Sequence, residues 1–148
     1  MNITEKIEQD LHIAMREKNT AVVRALRMAM SSIKYVEKEN RSSLDDLGVI
    51  AVLQKEIKIR HETMEEAQKG GRQDLVDECT TDIGILEKYL PAPLSEDELE
   101  TLVKRIIQES GASSMKEMGK IMPLAVKEVN GRAPNNLISQ VIRKLLAG

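Results

Sequence analysis

The sequence predicts an all-α protein. An N-terminal four-helix subdomain spans residues 1–91, and a small C-terminal three-helix subdomain spans 92–148. Three observations carry this. First, Phe and Trp are absent, and Tyr35 and Tyr89 are the only aromatics. The core must then use Leu, Ile, Val, Ala and Met, which suits helices better than aromatic-hungry strands. Second, apolar residues recur at spacings of three and four, with no sustained alternation. Third, Pro91-Ala92-Pro93 places two prolines in a short stretch, which stops a helix and stiffens an extended link.

The elements follow in order. Thr4 is placed to cap a first helix carrying Ile3, Ile7, Leu11, Ala14 and Met15. Thr20 is placed to cap a second, which runs to about Lys38 with Val22, Leu26, Ala29, Met30 and Ile33 on one side. Residues 39–43 read as a polar loop. Asp45 or Asp46 opens a third helix, the longest, with Ile50, Leu53, Ile57, Met64 and Ala67 as its buried stripe, ending at Gly70-Gly71. A fourth helix carries Leu75, Cys79, Ile83, Leu86 and Leu90. After the prolines, Ser95 and Glu98 form a capping-box pattern for a fifth helix. Ser114 and Glu117 repeat the pattern for a sixth, interrupted at Pro123. Pro134 suits the first turn of a seventh, buried through Leu137, Val141, Ile142 and Leu145.

A chain of 148 residues buries roughly two-thirds of its unfolded surface, enough for one good core or two small ones. A single cysteine, Cys79, rules out an internal disulfide and gives no sign of an oxidising compartment. No apolar run approaches a membrane span and no apolar signal core is seen near the N-terminus, so the expected location is cytoplasmic. The formal charge of −2 hides an uneven distribution. Residues 114–148 hold six bases against two acids, a net of +4, while residues 1–113 net −6. Phosphate is thus one partner class for the C-terminal third.

Catalytic chemistry finds little support. Cys79 as a nucleophile would need a base, and the histidines are only His12 and His61; its place in an apolar stripe reads as a core residue. His61, among Lys58, Arg60 and Glu62, reads as a surface residue. The acidic pairs read as helix-start charges and solvated faces. No metal-ligand spacing, P-loop or GxGxxG is present, so no metal and no cofactor is expected.

Two features stand out. One is the basic stripe Arg24, Arg27, Lys34 and Lys38 on the second helix. It is either a solvated face or a fork for phosphate or a partner's carboxylates. The other is the stretch from Gly111 to Leu137. Lys116 and Lys120 lie one turn apart, and Gly119 lets a partner approach the backbone. The turn at Gly131-Arg132 leads through Asn135 and Asn136 into a helix start, which favours anions. The plain alternative is that Gly119 packs on another helix and Gly131 ends the sixth.

Several segments resemble the YqeY-like family. They are Leu26-Arg27-Met28, residues 49–58 (VIAVLQKEIK), Gly71-Arg72-Gln73-Asp74-Leu75 and Glu87-Lys88-Tyr89-Leu90-Pro91, then residues 111–120 (GASSMKEMGK) and Gly131-Arg132-Ala133. The resemblance covers nearly the whole chain in order. The family is similar to the tail region of the B subunit (GatB) of the tRNA-dependent amidotransferase, and to a tail on some glutaminyl-tRNA synthetases. It implies an all-helical protein of two subdomains that helps hold tRNA, with no catalytic site of its own. The family's glycine-lysine pair corresponds to Gly119 and Lys120, and its glycine turn to Gly131, Arg132 and Ala133. Many relatives continue Asp-Gly-Lys where this chain has Pro134-Asn135-Asn136, which removes one lysine and one backbone donor.

The leading expectation is a non-catalytic accessory protein that binds tRNA or assists tRNA-dependent amidation, contacting RNA through Lys116, Gly119, Lys120, Gly131, Arg132, Asn135 and Asn136. With so few aromatics, it would read shape and backbone rather than stack on bases. The alternative is a protein-interaction adaptor docking on the Arg24/Arg27 stripe or a groove. An amidotransferase in its own right is a third reading.

Overall fold

The computed structural model describes residues 1–147. Among them are seven α-helices, one short 3-10 turn and no strand. The chain divides into two compact units, Met1–Leu90 and Pro91–Gly148.

The first unit contains α1 (Ile3–Arg16), α2 (Thr20–Asn40), α3 (Asp46–Lys69) and α4 (Gln73–Glu87). α1 starts two residues before Thr4 could cap it, because the Asn2 side chain accepts from the Glu5 N–H at 2.8 Å. Asn19 rather than Thr20 caps α2, accepting from Val22 N–H at 3.4 Å. Asp45 caps α3 through Gly48 N–H at 2.9 Å. Asparagine and aspartate hold such caps well because a short side-chain oxygen reaches an N–H with no helical partner.

The core of the first unit joins Ile7 of α1, Leu26, Ala29 and Ile33 of α2, Val49 and Leu53 of α3, and Ile85 and Leu86 of α4. Each fully buried Leu or Ile side chain contributes about 1.5–3 kcal/mol by leaving water. Several expected core positions differ. Met15 is exposed, and the Ile57 and Met64 positions of α3 are only half-buried. A charged residue, Arg60, is buried on α3 instead.

The second unit contains α5 (Glu96–Ser110), a 3-10 turn (Met115–Glu117), α6 (Met118–Val129) and α7 (Asn135–Ala147). Ser95 and Glu98 form the full capping box. The similar pair Ser114 and Glu117 does not: Glu117 N–H bonds the Ser114 backbone carbonyl at 3.0 Å, so the chain enters a 3-10 turn with no side-chain cap. α6 therefore begins only at Met118, with Pro123 inside it. Leu99, Val103, Ile106, Ile121, Ala125 and Ile142 lead the second core.

Candidate functional site

The stretch from Ser114 to Asn136 is held by local backbone bonds. Asn130 ends α6 in the left-handed conformation at φ 51°, and its N–H reaches Val126 O at 3.1 Å. Gly131 follows at φ 82°, where a side chain would be strained. Pro134 stands one residue before α7 rather than in its first turn. Its carbonyl accepts from Leu137 and Ile138 N–H at 3.1 Å each.

Arg132 has structural work at this turn. Its Nε donates to the Ala92 carbonyl at 2.9 Å, and its own carbonyl accepts from Leu94 N–H at 2.9 Å. Residues 92–94 are thereby stapled to the α6–α7 turn. The guanidinium also helps hold the Glu98 carboxyl below the ordinary carboxylate range; the larger cause there is the Ser95 N–H that the carboxylate accepts.

Other sequence-predicted residues remain open. Lys116, Gly119, Lys120, Asn135 and Asn136 are all exposed. A Cβ at Gly119 would meet nothing within 4 Å, so this glycine does not pack on another helix. Neither Lys116 nor Lys120 forms an ion pair among the described residues, and the same holds for Lys127, which sequence reasoning did not single out. Lys120 and Lys127 lie seven residues apart on α6 and so share one side of that helix, while Lys116 stands in the 3-10 turn before it. The signal was present as spacing, but Lys127 lies outside the glycine-lysine segment that drew attention.

The unit's other cations are mostly engaged. Arg105 reaches Glu128 at 2.6 Å, and Lys144 and Lys104 reach Glu100 at 3.6 and 3.7 Å. Eight bases face seven acids in the unit; among the described residues Lys120 and Lys127 on α6, Lys116 in the turn before it and Arg143 on α7 form no ion pair. A shallow depression of about 430 Å³ lies along α5, lined by Leu94, Asp97, Glu98, Thr101, Leu102 and Arg105. Its two acids make it a poor seat for phosphate.

In the first unit, the basic stripe is divided. Arg27, Lys34 and Lys38 are exposed, but Arg24 turns to α4, where it meets Asp82 at 2.9 Å and Glu78 at 3.4 Å. Asp82 also faces Arg60 at 3.6 Å. Arg60 in turn bonds Glu56 at 2.7 Å, and Glu56 accepts from Ser32 Oγ at 2.6 Å. A charge network thus runs through α2, α3 and α4. The sequence carried a faint sign of it: Arg60 falls midway between Leu53 and Ala67 on α3, and Asp82 one turn from Cys79 and Leu86 on α4.

Cys79 is buried, and burial pushes its thiol above the ordinary value, with Asp82 adding to the rise. A thiol so placed stays protonated and unreactive. His12 and His61 are exposed. Among the described residues, no group of three or more His, Cys, Asp or Glu is placed to hold a metal, and no helix is long and apolar enough to cross a membrane.

Comparison with known proteins adds three findings. A family model described as Yqey-like protein matches residues 4–146. A protein of Pyrenophora tritici-repentis named altered inheritance of mitochondria protein 41, mitochondrial, is 26% identical over 150 residues, covering 97% of this chain and 81% of that protein. An uncharacterised protein of Schizosaccharomyces pombe is 31% identical over 90 residues, covering 61% of this chain and 73% of that one.

Proposed function

The chain belongs to the YqeY-like family, and on that premise we propose that it is a non-catalytic accessory module holding the phosphate backbone of a structured RNA along α6. The observation that carries this reading is the pair Lys120 and Lys127 on one side of α6, with Lys116 in the 3-10 turn before it. All three are exposed and without ion-pair partners among the described residues, beside the bare backbone at Gly119. Free ammonium groups bind phosphate through counterion release, and a glycine permits close approach. The family's similarity to the amidotransferase tail makes tRNA the first candidate. Under this reading the second unit is the RNA-facing subdomain, the first is a separate four-helix subdomain, and the module assists tRNA-dependent amidation without performing it.

Within the proposed contact surface, Asn135 and Asn136 supply amides to sugar or phosphate. Gly131 shapes the turn. Arg132 serves mainly to fix residues 92–94, with its outer nitrogens turned to the ligand. The same reading puts the protein in the cytoplasm. Because the Pyrenophora relative carries the word mitochondrial in its name, fractionation of tagged protein is the direct check.

Filter retention of tRNA by the full chain tests the reading. With three phosphate contacts, affinity falls roughly thirtyfold between about 50 and about 200 mM salt. Lys120→Ala and Lys127→Ala each weaken binding and flatten the salt slope. No retention at low salt, or retention indifferent to both substitutions, overturns the proposal.

A further inference from the structure

A second surface lies on the first unit. Of its large apolar side chains, Met28, Tyr35 and Ile59 stand 42%, 65% and 42% exposed on the α2–α3 pair. Met28 and Tyr35 are seven residues apart on α2, so they share a face about 10.5 Å apart along the axis. α3 runs beside this line: Arg60 Nη2 donates to Met28 Sδ at 3.2 Å, and Ser32 Oγ donates to Glu56. Ile59 follows next to Arg60. On the flank away from α3 stand Arg27, Lys34 and Lys38, exposed and unpaired among the described residues.

The acids nearby are mostly occupied. Glu56 is held by Arg60 and Ser32, and Glu37 accepts from the Leu44 N–H at 2.8 Å. Glu39, at the C-terminal end of α2, and Glu62, one turn from Ile59 on α3, are exposed acids beside this face. The result is an apolar line with a cationic rim on one side.

We infer that this face docks an acidic amphipathic helix of a partner protein. A helix laid along α2 presents apolar anchors one or two turns apart, matching Met28 and Tyr35, and its carboxylates meet Arg27, Lys34 and Lys38. Tyrosine and methionine are the side chains that carry such contacts: rigid and amphipathic in one case, adaptable in the other. Nucleic acid fits less well. Tyr35 offers one stacking surface, but Met28 and Ile59 offer none and would stay in water. The inference is independent of the RNA reading of α6.

The test places a photo-crosslinking benzoylphenylalanine at position 35 of the full chain in its own cells, with the same label at exposed position 77 on α4 as control. Adducts are treated with ribonuclease, and the crosslinked segment is sequenced. The expected result is a ribonuclease-resistant adduct on a net-acidic segment with helical apolar spacing. A synthetic peptide of that segment then binds the purified protein, and Lys34→Glu with Lys38→Glu weakens it roughly tenfold or more. Lys120→Ala leaves that binding unchanged. Adducts lost to ribonuclease, no excess over position 77, a basic or non-helical segment, or peptide binding indifferent to the charge reversal each overturn the inference.

Discussion

Arg60 and Asp82 face each other in the first unit with Nε to Oδ2 at 3.6 Å, and each side chain is only 7% exposed. Arg24 grips the other oxygen of the same carboxylate at 2.9 Å. One acid on α4 therefore answers two arginines, on α2 and α3. No hydrogen bond satisfies the buried Nε of either arginine, so its electrostatic partner matters.

Removing that acid is predicted to be severe. Asp82→Asn leaves Arg60 buried with only Glu56 as a counter-charge, and destabilises by about 3 kcal/mol. Replacing the pair together, Arg60→Met with Asp82→Leu, recovers much of this loss, because a buried pair costs desolvation that an apolar pair does not. Urea unfolding of the three proteins, followed by amide exchange in α2–α4, checks the difference.

Tyr89 gives the molecule an alkaline limit. Its hydroxyl donates to Asp10 Oδ2 at 2.6 Å, and burial and this carboxylate push the phenol well above its ordinary value. The folded state thus keeps a proton that the unfolded state releases near pH 10. Stability is fully present below that pH and falls as pH rises above it. Tyr89→Phe costs about 1 kcal/mol at neutral pH and removes this tyrosine's part of the alkaline decline, as read in melting temperatures at pH 7 and about pH 11.

Glu98 acts at the opposite end of the scale. Its carboxyl is held low, first by the Ser95 N–H. The stabilisation it brings to α5 is present above the ordinary glutamate value and lost as pH falls through its lowered folded value. Glu98→Gln keeps an acceptor for the Ser95 N–H and abolishes this acid dependence. Ser95→Ala loses the other half of the box, costing about 1 kcal/mol. Amide exchange at the start of α5 across the acid range separates the two.

Gly119 separates stability from binding. An added Cβ meets nothing in the protein, so Gly119→Ala raises stability by about 0.5 kcal/mol through helix propensity. If RNA lies against this backbone, the same substitution weakens tRNA retention. A variant that is both more stable and equally retained would show that α6 is not approached closely there.

The helices were legible because apolar spacing survives every local detail. Leu26, Ala29 and Ile33, or Leu99, Val103 and Ile106, could face nothing but a core. Caps were less legible. Asn2 and Thr4 both carry an oxygen able to cap, and only the backbone decides which one does. Ser95 and Ser114 head the same motif, but a carbonyl takes the bond at Ser114 that the hydroxyl takes at Ser95. Arg132 looked like an open phosphate contact because its partner, the Ala92 carbonyl, is backbone and leaves no mark in a side-chain pattern. Arg60 and Asp82 were hidden more deeply, since a pairing across 22 positions needs the helices docked before either charge has an answer.

The hydrogen bond between Tyr89 and Asp10 spans 79 positions, nearly the whole first unit. During synthesis that unit lacks its closing clasp until the end of α4 has left the ribosome. A chain cut before Tyr89 therefore carries most of the first unit without the bond that ties the end of that unit to its first helix.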